Sequence, residues 1–130
     1  MMKECDRLCR NLVVELRDKN TCQRCEGGPL VRKRHAGVSL CKQRKIDWAH
    51  VYNRQHTRLR HDPIASLALC SGCHLWFDGS RRKGWEWFRG AFQARAKRID
   101  EIMATPPKRV VLEATKLWLT AEIKKAEAAL

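Results

Sequence analysis

The chain has 130 residues, one domain's worth on the usual scale of roughly 100 to 200 residues per domain, with nothing left over for a second large core. Hydrophobic residues make up 44% and charged ones 32%, and no apolar run reaches the length of a membrane span, about 18 residues, so disorder and membrane insertion are both excluded as readings. Lys and Arg total 27 against 14 Asp and Glu, leaving a formal charge of +13 and a pI near 9.9, a balance that favours a polyanionic partner, with nucleic acid first.

In chain order, residues 3–19 set Leu8, Leu12 and Leu16 at i, i+4 and i+8 with Val13 beside them, the pattern of an amphipathic helix. Cys5 and Cys9 lie four apart in it and read as small apolar core residues. The N-terminus lacks the apolar core and small-residue cleavage site of a signal peptide, so the seven cysteines are expected in a reducing cytoplasm without disulfides. From Thr21 to Leu40, two cysteines, Gly27-Gly28-Pro29 and Gly37 punctuate the short apolar pieces Leu30-Val31 and Val38-Ser39-Leu40, which predicts a knuckle turn and a hairpin. Ile46 to Val51 alternates as a strand does, and the basic stretch from Tyr52 to Pro63 has no period and reads as a loop. Leu67 to Leu69 leads into a second knuckle, a helix starts near Cys73, and Gly84 to Met103 reads as another. Pro106-Pro107 breaks that helix, and Lys108 to Leu130 is a terminal amphipathic helix that either packs on the core or pairs two subunits as a homodimer.

The charge is central. Residues 31–60 hold nine basic side chains (Arg32, Lys33, Arg34, Lys42, Arg44, Lys45, Arg54, Arg58, Arg60) against Asp47 alone, and residues 81–98 hold seven (Arg81, Arg82, Lys83, Arg89, Arg95, Lys97, Arg98) against Glu86. A single such run is as readily a solvated face as a binding surface, but two that flank a cysteine and histidine cluster favour the binding surface. Within the second run Trp85, Trp87 and Phe88 can stack on bases or anchor a helix, and the core is the better reading for Trp87 and Phe88.

Cys22-Gln-Arg-Cys25 and Cys70-Ser-Gly-Cys73 are two CxxC pairs with 44 residues between them. Four thiolates so grouped make the tetrahedron that a structural Zn(II) prefers. A redox pair is the competing reading, and two pairs in a basic chain without a βαβ pattern weaken it. Cys41 lies outside both pairs and reads as a buried thiol.

Between the knuckles stands Asp47-Trp48-Ala49-His50-Val51-Tyr52-Asn53-Arg54, and the second knuckle runs into His74-Leu75-Trp76-Phe77-Asp78. Together these segments resemble the HNH endonucleases over about residues 10 to 90. The string His50, Arg54, Arg58, Arg60, Asp62, Pro63 looks most like phage recombination nucleases of the NinG type. The resemblance implies a ββα-metal fold with a catalytic histidine on a strand and a metal-binding histidine on the following helix. Two positions depart from the family pattern. Its middle Asn slot is Ala65 here, with Asn53 and Ser66 as neighbouring substitutes, and the metal-binding residue that often precedes the base is Ala49, with Asp47 two positions earlier on the same strand face.

Phosphodiester hydrolysis needs a base to activate water, a cation on the scissile phosphate and groups that position the backbone. His50 is the candidate base, His74 and Asp78 are spaced to share a helix face around Mg(II) or Mn(II), and Asp47 is a further candidate ligand. Asp78 has an equally good reading as a helix-ending residue before Gly79. Arg54, Arg58 and Arg60, with Arg44, Lys45, Arg81 and Arg82, are the candidate phosphate grips. The expected architecture is therefore α+β, a small ββα core stapled by a four-cysteine zinc site and flanked by terminal helices. Residues 1–103 form the nuclease domain and residues 104–130 the break and last helix. The expected partner is DNA, including branched or junction DNA, and the alternative is a zinc-stabilised DNA-binding module that has lost catalysis.

Overall fold

The structure, a computed structural model, describes residues 1–31 and 45–130. The expected hairpin strand Val38-Ser39-Leu40, the Cys41 thiol and the phosphate grip Arg44 lie outside the described residues. Helix α1 (Met2–Arg10) buries Cys5, Leu8 and Cys9, and it continues into a wider, π-helical stretch over Asn11–Arg17. The wider turn rotates successive side chains by a smaller angle, so the consecutive residues Leu12, Val13 and Val14 all face inward. Lys19 and Asn20 end it in the left-handed conformation, at φ 53° and 55°.

Strands β1 (Ile46–His50) and β2 (Ser66–Cys70) form an antiparallel pair in which Ile46 faces Cys70 and His50 faces Ser66. Each face of this small sheet carries its own core. Trp48 and Ala68 pack with α1, the π-helical stretch, and Leu119 and Ile123 of the last helix. Ala49, Leu67 and Leu69 on the other face join Phe77, Phe88 and Ile99. Five-residue strands buried on both sides carry little polar patterning, which fits the apolar run Leu67-Ala68-Leu69.

The connection between the strands is more ordered than its sequence suggests. A single turn, α2 (Thr57–Arg60), buries Leu59, and a 3₁₀ turn over Pro63–Ala65 follows, with Asp62 accepting from the Ile64 amide. Helix α3 (Ser71–Gly79) begins directly at β2 with Cys70 as its N-cap, two residues before the expected start at Cys73. The single helix expected from Gly84 to Met103 is two, α4 (Arg81–Ala91) and α5 (Gln93–Ala104), with Phe92 between them at φ −127° and ψ 63°. No Pro marks this break, and Gly90 stands in the last turn of α4 two residues before it. Phe92 packs on Phe88 and Trp87, and the turn brings Ala96 and Ile99 of α5 back onto the core. Gly84 is set by contact: a Cβ there would lie 2.8 Å from the Phe77 ring, so only glycine lets α4 approach α3 this closely.

The last helix, α6 (Leu112–Ala128), starts four residues later than expected and lies on α1, where Leu119 and Ile123 are buried and Lys116 pairs with Glu4 at 3.1 Å. Of the two readings of this helix, packing on the core is therefore realised. Among the described residues no helix is long and apolar enough to cross a membrane.

Candidate metal centre and histidine cleft

The two CxxC pairs meet. Cys22 and Cys25 come from a wide turn over Gln23–Gly27, whose Glu26 and Gly27 amides both donate to the Cys22 carbonyl at 3.0 Å. Gly28 closes that turn against the Gln23 carbonyl, where a Cβ would sit at 2.0 Å. Cys70 ends β2 and Cys73 sits in the first turn of α3. The four sulfurs lie within 4.8 Å of one another, with Cys25 Sγ 3.5 Å from Cys73 Sγ and 4.0 Å from Cys70 Sγ. A regular tetrahedron with Zn–S bonds of about 2.3 Å has edges of about 3.8 Å, so spacing and donor type both fit a metal ion such as zinc. All four are buried. The Cys22 thiol is held far below the usual thiol range, first by the hydrogen bond from Cys73 and then by backbone amides. Arg24 donates to Cys73 Sγ at 3.6 Å while its guanidinium lies 3.5 Å from the Trp76 ring centroid, which sets a positive charge beside the sulfur cluster.

A second, more open site lies beside the first. A polar cleft of about 280 Å³ is lined by Trp48, His50, Asn53, Arg54, His74, Asp78 and Arg81, which unites the strand histidine, the helix histidine and two of the candidate arginines. His50 is 8% exposed, with Trp48 against its ring at 4.2 Å. Its Nε2 lies 3.2 Å from the Arg60 carbonyl. A carbonyl only accepts, so Nε2 carries the proton and Nδ1 keeps its lone pair. Burial, and then the charge of Arg54, lower the imidazole pKa to about 4.

His74 is held at both nitrogens, Nδ1 by Asp47 Oδ2 at 3.0 Å and Nε2 by Asp78 Oδ2 at 3.2 Å. Asp78 also pairs with Arg81 at 3.2 Å, so it is bound to both neighbouring turns and is more than a helix terminator. Asp47 and Asp78 address opposite edges of one ring, and the four cysteines are the only cluster with three or more metal-donor groups among the described residues.

The arginines divide. Arg54 is exposed, lies over Trp48 at 5.7 Å and has no carboxylate partner among the described residues. Arg81 keeps its place by donating to the Val51 carbonyl at 2.9 Å. Arg82 and Lys45 are exposed, Arg82 pairing with Glu86 at 3.4 Å. Arg58 instead donates to the carbonyls of Ile102 and Thr105, both at 2.9 Å, tying α2 to the end of α5. Arg60 grips Asp6 of α1 through two bonds of 3.0 and 2.7 Å, and His61 reaches the same carboxylate at 2.7 Å. Burial raises the Asp6 pKa, and the bonds from Arg60 and His61 outweigh it and hold the carboxyl below its usual range.

Two residues that the sequence did not single out hold the loop that carries the His50 partner. Asp6 fixes Arg60, whose carbonyl orients His50. Arg17 donates to the Pro63 carbonyl at 2.6 Å and to the Ser66 carbonyl at 2.7 Å, on either side of the buried Ala65, and its pairing with Asp18 at 2.9 Å fixes its head. Asp18 in turn accepts from the Ala68 amide at 2.9 Å. Replacing Arg17 with Met leaves Asp18, whose side chain is 3% exposed, without its cation. Thermal denaturation should show a loss of roughly 2 to 4 kcal/mol, below the value for a fully buried pair because the Arg17 side chain is partly solvated. A variant as stable as the parent would remove this anchoring role.

Comparison with known proteins finds no matching family model, no matching curated protein and no matching solved structure.

Proposed function

We propose that the chain is a metal-dependent endonuclease of the HNH type that hydrolyses DNA phosphodiester bonds, of the kind phages use in recombination. The observation that carries this reading is the convergence of His50, His74, Asp78, Arg54 and Arg81 on one polar cleft, built from a hairpin and the helix that follows it. His50 Nδ1 is the base that takes a proton from water. Its low pKa keeps it unprotonated, and a phosphate seated on Arg54 cancels part of the charge that depresses it, so its basicity rises when substrate arrives. Arg54 and Arg81 hold the phosphate. His74 Nε2 and Asp78 would hold Mg(II) or Mn(II), which supplies charge stabilisation at the scissile phosphate. Asp47 then acts on the ring rather than on the metal, because its bond to Nδ1 favours the tautomer with a lone pair on Nε2, and a cation between Nε2 and Asp78 would replace their present 3.2 Å contact. The four cysteines hold a structural Zn(II) that locks the start of α3, and with it His74, against the N-terminal knuckle.

A second reading, a DNA-binding module without catalysis, is favoured by Ala65 and Ala49, both 1% exposed and neither able to supply the polar group that the family places there. Supercoiled plasmid separates the two. The parent should convert it to the nicked form with Mg(II) or Mn(II), and His74→Ala should lose this with partial recovery at raised metal concentration, since Asp78 remains. Plasmid retarded on a gel yet never nicked with any divalent metal would decide for the binding module.

A further inference from the structure

Next to the histidine cleft lies a second cavity of about 300 Å³, lined by Val51, Tyr52, Asn53, Arg81 and Trp85. It shares Asn53 and Arg81 with the cleft, so the two adjoin. Resting on the nuclease reading, we propose that this cavity receives one unpaired nucleobase of the strand whose phosphate lies in the cleft, which directs the protein to single-stranded, flapped or frayed DNA.

The chemistry of the lining is that of a base. Tyr52 and Trp85 meet edge to face at 5.5 Å and 72°, forming a corner where a third flat ring can stack on one and meet the edge of the other. Trp85 is itself braced, stacked on the buried Phe88 at 5.6 Å and 16° with the Arg89 guanidinium over its ring at 4.7 Å, and Tyr52 also meets His56 edge to face at 5.2 Å, so the corner is held before any ligand arrives and a base entering it stacks on Tyr52 or takes the place of Arg89. Both rings pack against the core yet remain half-buried, unlike the fully buried Phe88, so part of each stays open to solvent. Asn53 Oδ1 accepts from the Gln55 amide at 3.1 Å, which leaves its amide NH₂ free to donate to a base edge. Arg81, anchored on the Val51 carbonyl, stands between the two cavities where the sugar and phosphate of the same nucleotide would pass. A paired base cannot present its face to such a corner, because the stack above and below already covers it. The cavity therefore selects strands whose bases are free.

The test is fluorescence anisotropy without added divalent metal, using a labelled single-stranded oligodeoxynucleotide, the same strand with abasic sites, and the same strand in duplex. The parent should bind the intact single strand roughly 5- to 100-fold more tightly than the abasic one, the scale of one stacked base. Tyr52→Ala and Trp85→Leu should erase most of that ratio while leaving abasic and duplex affinity as in the parent. Trp85 touches the core, so Asn53→Ala, whose side chain is exposed, gives a variant that keeps its fold and should lower the ratio less. Equal affinity of the parent for intact and abasic strands would overturn the proposal, as would a full ratio retained in all three variants. A chain that shows the base-dependent ratio but nicks no plasmid keeps the cavity's role and loses the nuclease reading. One that nicks without any base dependence does the reverse.

Discussion

Replacement of His50 by Ala should lower the rate of DNA nicking by roughly 10² to 10⁴, the usual contribution of a positioned base. DNA affinity and bound metal should stay close to the parent's, because His50 neither carries charge nor ligates. The pH dependence gives a sharper signature. In the free protein the imidazole protonates only near pH 4, against 6.5 for an unperturbed ring, so the acid limb of kcat/KM should lie near the lower value. The acid limb of kcat reports the DNA complex, where phosphate neutralises Arg54, and should lie higher. The same shift bears on stability. Because the folded pKa is depressed, His50 contributes fully above about pH 6.5, and the contribution is lost as pH falls toward 4 and the unfolded chain takes up the proton first. His61, whose pKa burial also lowers, adds to that trend in the same direction. In His50→Ala the slope of stability against pH over this window should flatten. A variant that nicks at the parental rate would refute the role of base.

The largest effect on folding should follow loss of the metal. Purified protein should carry one zinc per chain, and Cys73→Ser or exposure to a strong chelator should cost most of the cooperative thermal transition, since metal affinity in a four-cysteine site is folding energy. The reason is positional. Cys70 and Cys73 join β2 to α3 across the point where the strand histidine and the helix histidine must be kept in register, while Cys22 and Cys25 stand at the end of the N-terminal segment. Without the ion, four buried thiols face one another, and the charge on Arg24 has no anionic cluster to balance it. Elemental analysis beside calorimetry checks this. Protein that purifies without zinc and melts unchanged in chelator would remove the structural role.

The sequence made the four-cysteine cluster legible because ligand chemistry is local: a CxxC pair announces itself within four residues, and the two pairs come together in the fold. The strand before His50 was readable from the apolar–polar–apolar start Ile46-Asp47-Trp48, although Trp48, Ala49 and His50 are all buried in the fold. What escaped was non-local or carried little punctuation. The bonds of Arg17 and Arg60 reach partners 46 and 54 residues away, and nothing in the neighbourhood of either residue distinguishes an arginine that anchors a loop from one that grips phosphate. Arg58 and Arg60 looked like the best phosphate grips because they stand beside Arg54 in a basic loop, yet the turn at Thr57–Arg60 points them toward α5 and α1. The break at Phe92 carried only a weak local mark, Gly90 two residues before it, and the bend itself falls at an aromatic residue that packs on its neighbours.

The attachment of Arg60 to Asp6 changes what counts as the smallest independent unit of this protein. The hairpin and α3 contain His50, His74, Asp47 and Asp78, and cutting them out as a minimal unit looks straightforward. Such an excision would remove Asp6, and with it the carboxylate that steadies both Arg60 and His61. Trimming the far end instead would uncover the apolar side of α1 on which Leu119 and Ile123 rest, and would loosen the helix that carries Asp6. The two ends of the chain act as a shared brace for a cleft built from its middle, and miniaturised versions need a replacement for that brace before they need a better cleft.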